Sequence, residues 1–117
     1  MSRNYLSNNE ELRRGDYLLS NNGEWKAVFQ NDGNFVIYGW QPTWSSDTYQ
    51  SDVVRLIMQA DRNLVMYNDD NKPRWHTGTY LKDSHVGRVQ LTDDGKLLVY
   101  SAAKLIWSSA DSKGMRV

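Results

Sequence analysis

The sequence predicts a single all-β domain, and three observations support that prediction. A pattern of apolar strand, polar turn and alternating strand occurs three times, at residues 26–39, 55–68 and 88–101. Each copy ends near a tyrosine and is followed by a tryptophan. No stretch of the chain combines helical periodicity with helix caps. At 117 residues the chain has the length of one domain, so we expect one unit, 1–117, built from three internal hairpin repeats.

Each repeat has the pattern of a β-hairpin. A short polar run containing Asp-Gly or Asp-Arg separates two apolar strands, as expected for a tight turn. Along the second strand, apolar and polar residues alternate, so successive side chains point to opposite faces of a sheet. The residues that this alternation assigns to the core are Phe35, Ile37, Leu64, Met66, Leu97 and Val99.

The tryptophans after the repeats predict how the three hairpins come together. They are Trp44, Trp75 and Trp107. One hairpin cannot bury its apolar face alone, but three related sheets that face inward can, with large aromatic rings at the centre. We therefore expect the three indoles to meet on a common axis.

The outward faces of the first two repeats carry the same five residues at every second position. Site 1 is Gln30, Asp32, Asn34, Val36 and Tyr38, and site 2 is Gln59, Asp61, Asn63, Val65 and Tyr67. Carboxylate, amide and phenol groups can donate and accept the hydrogen bonds that sugar hydroxyls need. An exposed valine would give the sugar ring carbons an apolar contact. The two sets predict two sugar sites that need no metal.

Asp-Gly turns and strand tyrosines are also common in β-proteins that bind no sugar. That interpretation does not explain why five outward residues recur unchanged while the turns between them differ. The third repeat has diverged at the corresponding site 3, which is Thr92, Asp94, Lys96, Leu98 and Tyr100. Lysine accepts no hydrogen bonds and can pair with Asp94 across the turn. We expect site 3 to be weak or inactive.

The repeated motif Q-x-D-x-N-x-V-x-Y resembles the signature of the bulb-type (monocot, snowdrop-like) mannose-binding lectins. The similarity extends from Leu6-Ser7 through 15–18 to Trp107, and 71–75 resembles the K-P-x-W segment of that family. It implies the β-prism II fold, with three four-stranded antiparallel sheets in pseudo-three-fold symmetry around a tryptophan-rich core. It also implies calcium-independent mannose binding by sites 1 and 2, with valine as the apolar contact.

The chain has no cysteine, whereas plant members of that family usually carry a disulfide, so it looks more like the fish skin-mucus, pufflectin-like branch. The resemblance implies a secreted protein that recognises mannose-rich glycans in defence. It further implies a homodimer formed by exchange of C-terminal strands, here the stretch around 105–109. From the residues alone, the first twenty contain no secretory apolar run, so a cytoplasmic location or another export route stays open.

Composition excludes several other classes of function. Fourteen basic and fourteen acidic residues give no net charge, so we expect neither nucleic-acid binding nor membrane insertion. His76 and His85 are the only histidines, and with no cysteine they predict no metal site and no cofactor. We interpret both as ordinary surface or turn residues. Nucleophile elbows, phosphate loops and dinucleotide fingerprints are missing, so we expect no enzyme.

Three alternatives remain open at this point. Arg14-Gly15-Asp16 is a tripeptide known for integrin recognition, which suggests a protein-binding module that needs no sugar. A three-fold β-trefoil lectin would repeat at a similar interval, although its Q-x-W signature is missing. The pairs Asp69-Asp70 and Asp93-Asp94 could suggest a glycosidase. Both pairs lie in turn-like segments, where aspartate is favoured for local backbone bonding.

Overall fold

The computed structural model describes residues 3–117, and this part of the chain is all-β, as the alternation predicted. Its strands are β1 (Tyr5–Ser7), β2 (Glu10–Arg13), β3 (Tyr17–Leu19), β4 (Lys26–Phe29), β5 (Phe35–Tyr38), β6 (Pro42–Ser45), β7 (Val53–Met58), β8 (Leu64–Asn68), β9 (Pro73–His76), β10 (Gly87–Leu91), β11 (Leu97–Ser101), β12 (Lys104–Ser108) and β13 (Met115–Arg116). No helix that could cross a membrane lies between residues 3 and 117.

The strands form three antiparallel sheets, each centred on one predicted hairpin. Sheet 1 has the order β3-β4-β5-β6, sheet 2 has β2-β7-β8-β9-β13, and sheet 3 has β1-β10-β11-β12. The expectation of three four-stranded sheets is confirmed, and the two-residue strand β13 extends sheet 2. This extra strand forms because the C-terminal segment returns to β9, where the Val117 amide donates to the Arg74 carbonyl (3.0 Å).

The N-terminal segment ties the three sheets together. Its strands β1, β2 and β3 pair with β10, β7 and β4, respectively, so residues 5–19 give one strand to each sheet. Leu6, Leu12 and Leu18 are six residues apart, and each pairs with the equivalent residue of its hairpin, Val89, Leu56 and Ala27, respectively. All three leucines are buried. The spacing lets one short segment contribute one leucine to the core from each sheet.

The core lies on the axis between the sheets, where the three tryptophans meet as predicted. Trp44, Trp75 and Trp107 contact one another edge to face, with ring centroids 5.9–6.3 Å apart. Edge-to-face packing is favoured because the positive edge of one ring meets the negative face of the next. The six second-strand residues assigned to the core are each at most 1% exposed.

The same turn joins the two strands of each hairpin. Its fourth residue has a positive φ, and Gly33 and Gly95 satisfy that requirement in the first and third repeats. Arg62 occupies the position in the second repeat with φ of 73°. The Thr79 carbonyl lies beside this turn and accepts a hydrogen bond from Arg62 Nε (3.3 Å).

Strand β12 contains most of the stretch that the family resemblance associates with strand exchange. It pairs with β11 of the same chain, with Leu98 opposite Ser108 and Val99 opposite Trp107. The strand therefore completes its own sheet, and the homodimer stays a prediction.

Candidate functional site

Site 1 is assembled by the turn between β4 and β5 and by the outer face of β5. A hydrogen-bonded chain joins its members: the Tyr38 hydroxyl donates to Gln30 Oε1, and Gln30 Nε2 donates to both carboxylate oxygens of Asp32 at 3.1 Å. The backbone amide of Asn34 donates to Asp32 Oδ1 (2.9 Å). The sequence-predicted residues of site 1 therefore lie together as one connected group.

Site 2 repeats this arrangement bond for bond. The Tyr67 hydroxyl donates to Gln59 Oε1, and Gln59 Nε2 donates to the Asp61 oxygens at 3.0 and 3.1 Å. The backbone amide of Asn63 donates to Asp61 Oδ1 (3.1 Å). Two hairpins that differ in their turn residues thus hold their polar side chains in the same order.

This chain of hydrogen bonds orients the tyrosine, glutamine and aspartate groups of both sites. Because the tyrosine donates to the glutamine carbonyl, the glutamine amide is oriented with its NH₂ group toward the aspartate. The aspartate keeps lone pairs free for hydroxyl hydrogens, and the tyrosine oxygen can still accept. Groups that are ordered before binding lose less conformational entropy when a ligand arrives.

Site 2 contains a tyrosine with a shifted pKa. Partial burial raises the pKa of Tyr67, and the nearby Asp61 carboxylate raises it further, while Arg55 opposes the shift. The Arg55 guanidinium lies 5.0 Å from the centre of the Tyr67 ring. A phenol is protonated at neutral pH even without such a shift, so Tyr67 stays a donor to Gln59 throughout the neutral range.

The asparagines are more restricted than the sequence suggested. Asn34 Oδ1 accepts from Ser46 Oγ (3.2 Å) and from the Thr48 amide (3.1 Å). Asn63 Oδ1 accepts in the same way from Thr77 Oγ1 and the Thr79 amide, both at 3.1 Å. Each amide oxygen is therefore used inside the protein, and each asparagine can offer a ligand its NH₂ group as a donor.

The prediction that the site valines are exposed is wrong. Val36 is 4% exposed and Val65 is 3% exposed. Both lie on a middle strand, where neighbours in register cover them on each side: Val28 and Ser45 flank Val36, and Ile57 and His76 flank Val65. Each valine therefore exposes only a small apolar area.

Site 3 keeps the fold of the other sites but uses its carboxylate internally. Thr92 Oγ1 donates to Asp94 Oδ1, and Lys96 Nζ lies 3.5 Å from Asp94 Oδ2, which is the ion pair the sequence predicted. The Thr92 hydrogen bond, followed by the charge of Lys96, lowers the pKa of Asp94. Both carboxylate oxygens thus have partners within the hairpin. Leu98 and Tyr100 occupy the positions of the site valine and tyrosine.

One residue beside site 2 was missed. His76 lies on β9 directly opposite Val65, and its ring is within 3.4 Å of the Asn63 amide nitrogen. His76 is a partly exposed strand residue and not a turn residue, whereas His85 lies in a loop, with Nε2 2.8 Å from the Lys82 carbonyl. When the three repeats are aligned at their tryptophans, His76 falls at a position where the other two repeats have Ser45 and Ser108. That alignment would have singled out His76.

Loops from neighbouring elements extend the rim of site 2. Asn9, Asp83 and Ser84 line a shallow open depression together with Gln59, Asp61 and Tyr67. The segment that carries Asp83 is held against the second hairpin turn by two backbone bonds, from the Leu81 amide to the Asp61 carbonyl and from the His85 amide to the Ala60 carbonyl. Site 2 thus has more surrounding surface than the five motif residues supply.

The tripeptide Arg14-Gly15-Asp16 has its arginine engaged inside the protein. The Arg14 guanidinium donates to the backbone carbonyls of Val53 (2.8 Å), Asn31 (2.6 Å) and Ser51 (2.9 Å). Asp16 Oδ2 accepts from the Arg13 amide (2.8 Å). Both charged side chains fix local structure here, so the geometry does not favour a receptor-binding role for this tripeptide.

The described residues contain no group of three histidine, aspartate or glutamate side chains that could hold a metal ion. Asp32 and Asp61 are bonded to amide and backbone donors, not to a second carboxylate. The two sites can form directed hydrogen bonds to the hydroxyl groups of a ring-shaped ligand, over a small apolar area.

Comparison with known proteins agrees with this geometry. No protein-family model matches the chain. The B-type lectin plumieribetin of Scorpaena plumieri is 59% identical over 113 residues, which cover 97% of this chain and all of that protein. The snowdrop (Galanthus nivalis) bulb agglutinin, a mannose-specific lectin solved with methyl-α-D-mannoside, matches with a TM-score of 0.75 and 33% identity. That match covers 83% of this chain and 88% of the snowdrop chain.

A monomeric monocot mannose-binding lectin from Gastrodia elata matches still more of the chain. The TM-score is 0.80 and the identity 28%, covering 97% of this chain and 99% of that one. The fold and the repeated site define a β-prism II lectin. Within that class, the chain belongs to the bulb-type (B-type) lectin family, whose members bind sugars and are not enzymes.

Proposed function

We propose that this protein is a calcium-independent mannose-binding lectin in which sites 1 and 2 each bind one mannose. The observation that carries the proposal is the duplicated hydrogen-bond chain from tyrosine through glutamine to aspartate. Relatives named for mannose specificity support the choice of sugar. The aspartates accept sugar hydroxyls, the asparagine NH₂ groups donate to them, and Val36 and Val65 contact the ring carbons.

Calcium independence rests on the bonding of the site carboxylates. Each aspartate is oriented by a glutamine amide and a backbone amide, so a cation is not needed to order it. Selectivity among sugars follows because an epimer with a misplaced hydroxyl leaves a site donor or acceptor without its partner.

The test is binding of mannose to the protein in EDTA. We expect mannose to inhibit adhesion to mannan equally with and without the chelator, and galactose to have no effect. A single shallow site should have a Kd on the order of 1 mM, about −4 kcal/mol, because few groups offset the lost freedom of the ligand. Adhesion that disappears in EDTA, or that excess mannose leaves unchanged, would refute the proposal.

Weak sites become useful through multivalency. Two sites on one chain raise the avidity for clustered mannose without any new contact, and a homodimer would double their number. We extend the proposal to recognition of mannose-rich glycans on glycoproteins or microbial surfaces outside the cell, in defence. Light scattering at working concentration decides between a dimer and a monomer like the Gastrodia elata relative.

Site 3 provides an internal comparison for the site assignment. The triple change Thr92→Gln, Lys96→Asn and Leu98→Val should create a third mannose site. Removing Lys96 frees Asp94, and a glutamine can reach both Asp94 and Tyr100 as in the intact sites. Ser109 already bonds the Leu97 amide as Ser46 bonds the Phe35 amide, so it can hold the new asparagine.

The count of bound methyl α-D-mannoside molecules, followed by NMR titration, checks this prediction. The unmodified protein should show two sites, and the triple variant should show three. Two sites in the variant would mean that the backbone of this hairpin has lost the geometry. Three sites in the unmodified protein would mean that Lys96 itself is accepted as a ligand.

A further inference from the structure

His76 is a chemical difference between the two intact sites. It lies opposite Val65 in sheet 2, and the corresponding residue opposite Val36 in sheet 1 is Ser45. Ser45 Oγ forms a local bond to Asp47 Oδ1 (2.8 Å), and no bond joins it to Asn34 within the described residues. The His76 ring reaches the site asparagine of its own sheet.

The hydrogen bonds of His76 define its protonation state. The backbone amide of Gly78 donates to His76 Nδ1 at 3.0 Å. Because a backbone amide can only donate, Nδ1 must be the unprotonated acceptor nitrogen of a neutral ring, with its proton on Nε2. The NH₂ group of Asn63, 3.4 Å from the same nitrogen, is then a second donor to it.

These contacts connect the ring to the orientation of the site 2 asparagine. Thr77 and Thr79 hold the Asn63 oxygen, and the neutral ring accepts from its NH₂ group. We propose that His76 couples site 2 to pH: the neutral ring is compatible with the orientation of Asn63 that binds mannose and the protonated ring is not, so that mild acid weakens mannose binding at site 2 while site 1 keeps its affinity. This inference rests on the proposed function of the two sites.

A proton on Nδ1 would face two donors and no acceptor. The repulsion between this proton and the Asn63 NH₂ group turns the Asn63 amide away from Thr77 and Thr79, and the site loses its ordered donor. A ring that merely rotated away would leave Asn63 held as Asn34 is in site 1, and binding at site 2 would not change with pH. Histidine is the side chain whose charge ordinarily changes between pH 5 and 8, and the test therefore compares pH 7.5 with pH 5.0.

The elements packed against His76 carry other charged and titratable groups. The second hairpin contributes Asp61 and Tyr67. Arg74 lies on β9 itself, paired with Asp52 at 3.1 Å, and Arg116 lies on β13. Site 1 contains the same motif aspartate, glutamine and tyrosine. Any acid effect on the motif itself will therefore appear at both sites.

The experiment is a titration of the full chain with methyl α-D-mannoside at pH 7.5 and pH 5.0. The backbone amide NMR signals of Asn34 and Asn63 report each site separately. We expect similar affinities at pH 7.5, and at pH 5.0 an affinity at least about tenfold weaker at site 2 only. The matched variant His76→Ser, which gives site 2 the residue of site 1, should bind at both pH values.

The other outcomes would refute either the proposed function or the role of His76. Binding at neither site at pH 7.5 would refute the proposed function itself. Binding at both sites with the same pH dependence would refute only the role of His76, as would a His76→Ser variant that still loses site 2 in acid. The ¹⁵N shifts of the imidazole give an independent readout: a ring protonated on Nδ1 at pH 7.5 would also overturn the inference.

Discussion

The double variant Asp32→Ala/Asp61→Ala should lose measurable binding to mannan. Each carboxylate accepts sugar hydroxyls through charge-assisted hydrogen bonds, which contribute about 1.5–3 kcal/mol each. Losing one such bond therefore weakens sugar binding at that site by roughly tenfold to a hundredfold. Because each site starts near 1 mM, that loss places both sites beyond detection. Each single variant should keep the other site.

The fold should survive these changes, because both aspartates lie on the outer face. Each replacement leaves one turn amide without its acceptor, that of Asn34 or Asn63, which costs about 1 kcal/mol per site. Asp94→Ala is the matched control, since it alters the same turn position in site 3. It should leave mannan binding unchanged, and normal binding by the double variant would refute the site assignment.

The replacement Trp75→Ala should produce the largest loss of stability. Trp75 is fully buried, packs edge to face on Trp44 and Trp107, and donates from Nε1 to the Lys113 carbonyl (2.8 Å). Truncating a buried tryptophan typically reduces the free energy of unfolding by about 3–5 kcal/mol, through lost burial and the cavity left behind. Chemical denaturation followed by circular dichroism measures this difference.

Trp40→Ala is the control for that measurement. Trp40 lies at the tip of the β5–β6 hairpin and is fully exposed, so its removal should change the free energy of unfolding by no more than about 0.5 kcal/mol. If Trp75→Ala cost less than about 1 kcal/mol, the three tryptophans would not form the centre of the core.

The hairpins and the core face could be predicted because their signals are local. Alternation along β5, β8 and β11 assigns Phe35 and its equivalents to the interior, and a turn motif marks each reversal. The same alternation predicted that the five residues of each site lie together, since residues at every second position share a face. The ion pair of Lys96 with Asp94 was predictable for that reason too.

Contacts between distant segments were not predictable from these patterns. The burial of Val36 depends on neighbours supplied by β4 and β6, and the fixed oxygen of Asn34 depends on Ser46 and Thr48. The place of His76 beside Asn63 follows from the pairing register of β8 with β9. Such registers are set by the packing of the whole sheet, which a single strand sequence does not contain.

A crystal structure of the protein with methyl α-D-mannoside in the presence of EDTA shows directly where the sugar binds. Mannose binding at sites 1 and 2 predicts one sugar in each site, with hydroxyl groups bonded to Asp32 and Asp61 and ring carbons on Val36 and Val65. Site 3 should hold no sugar. Sugar bound only elsewhere on the surface, or in site 3 with sites 1 and 2 empty, would contradict this prediction.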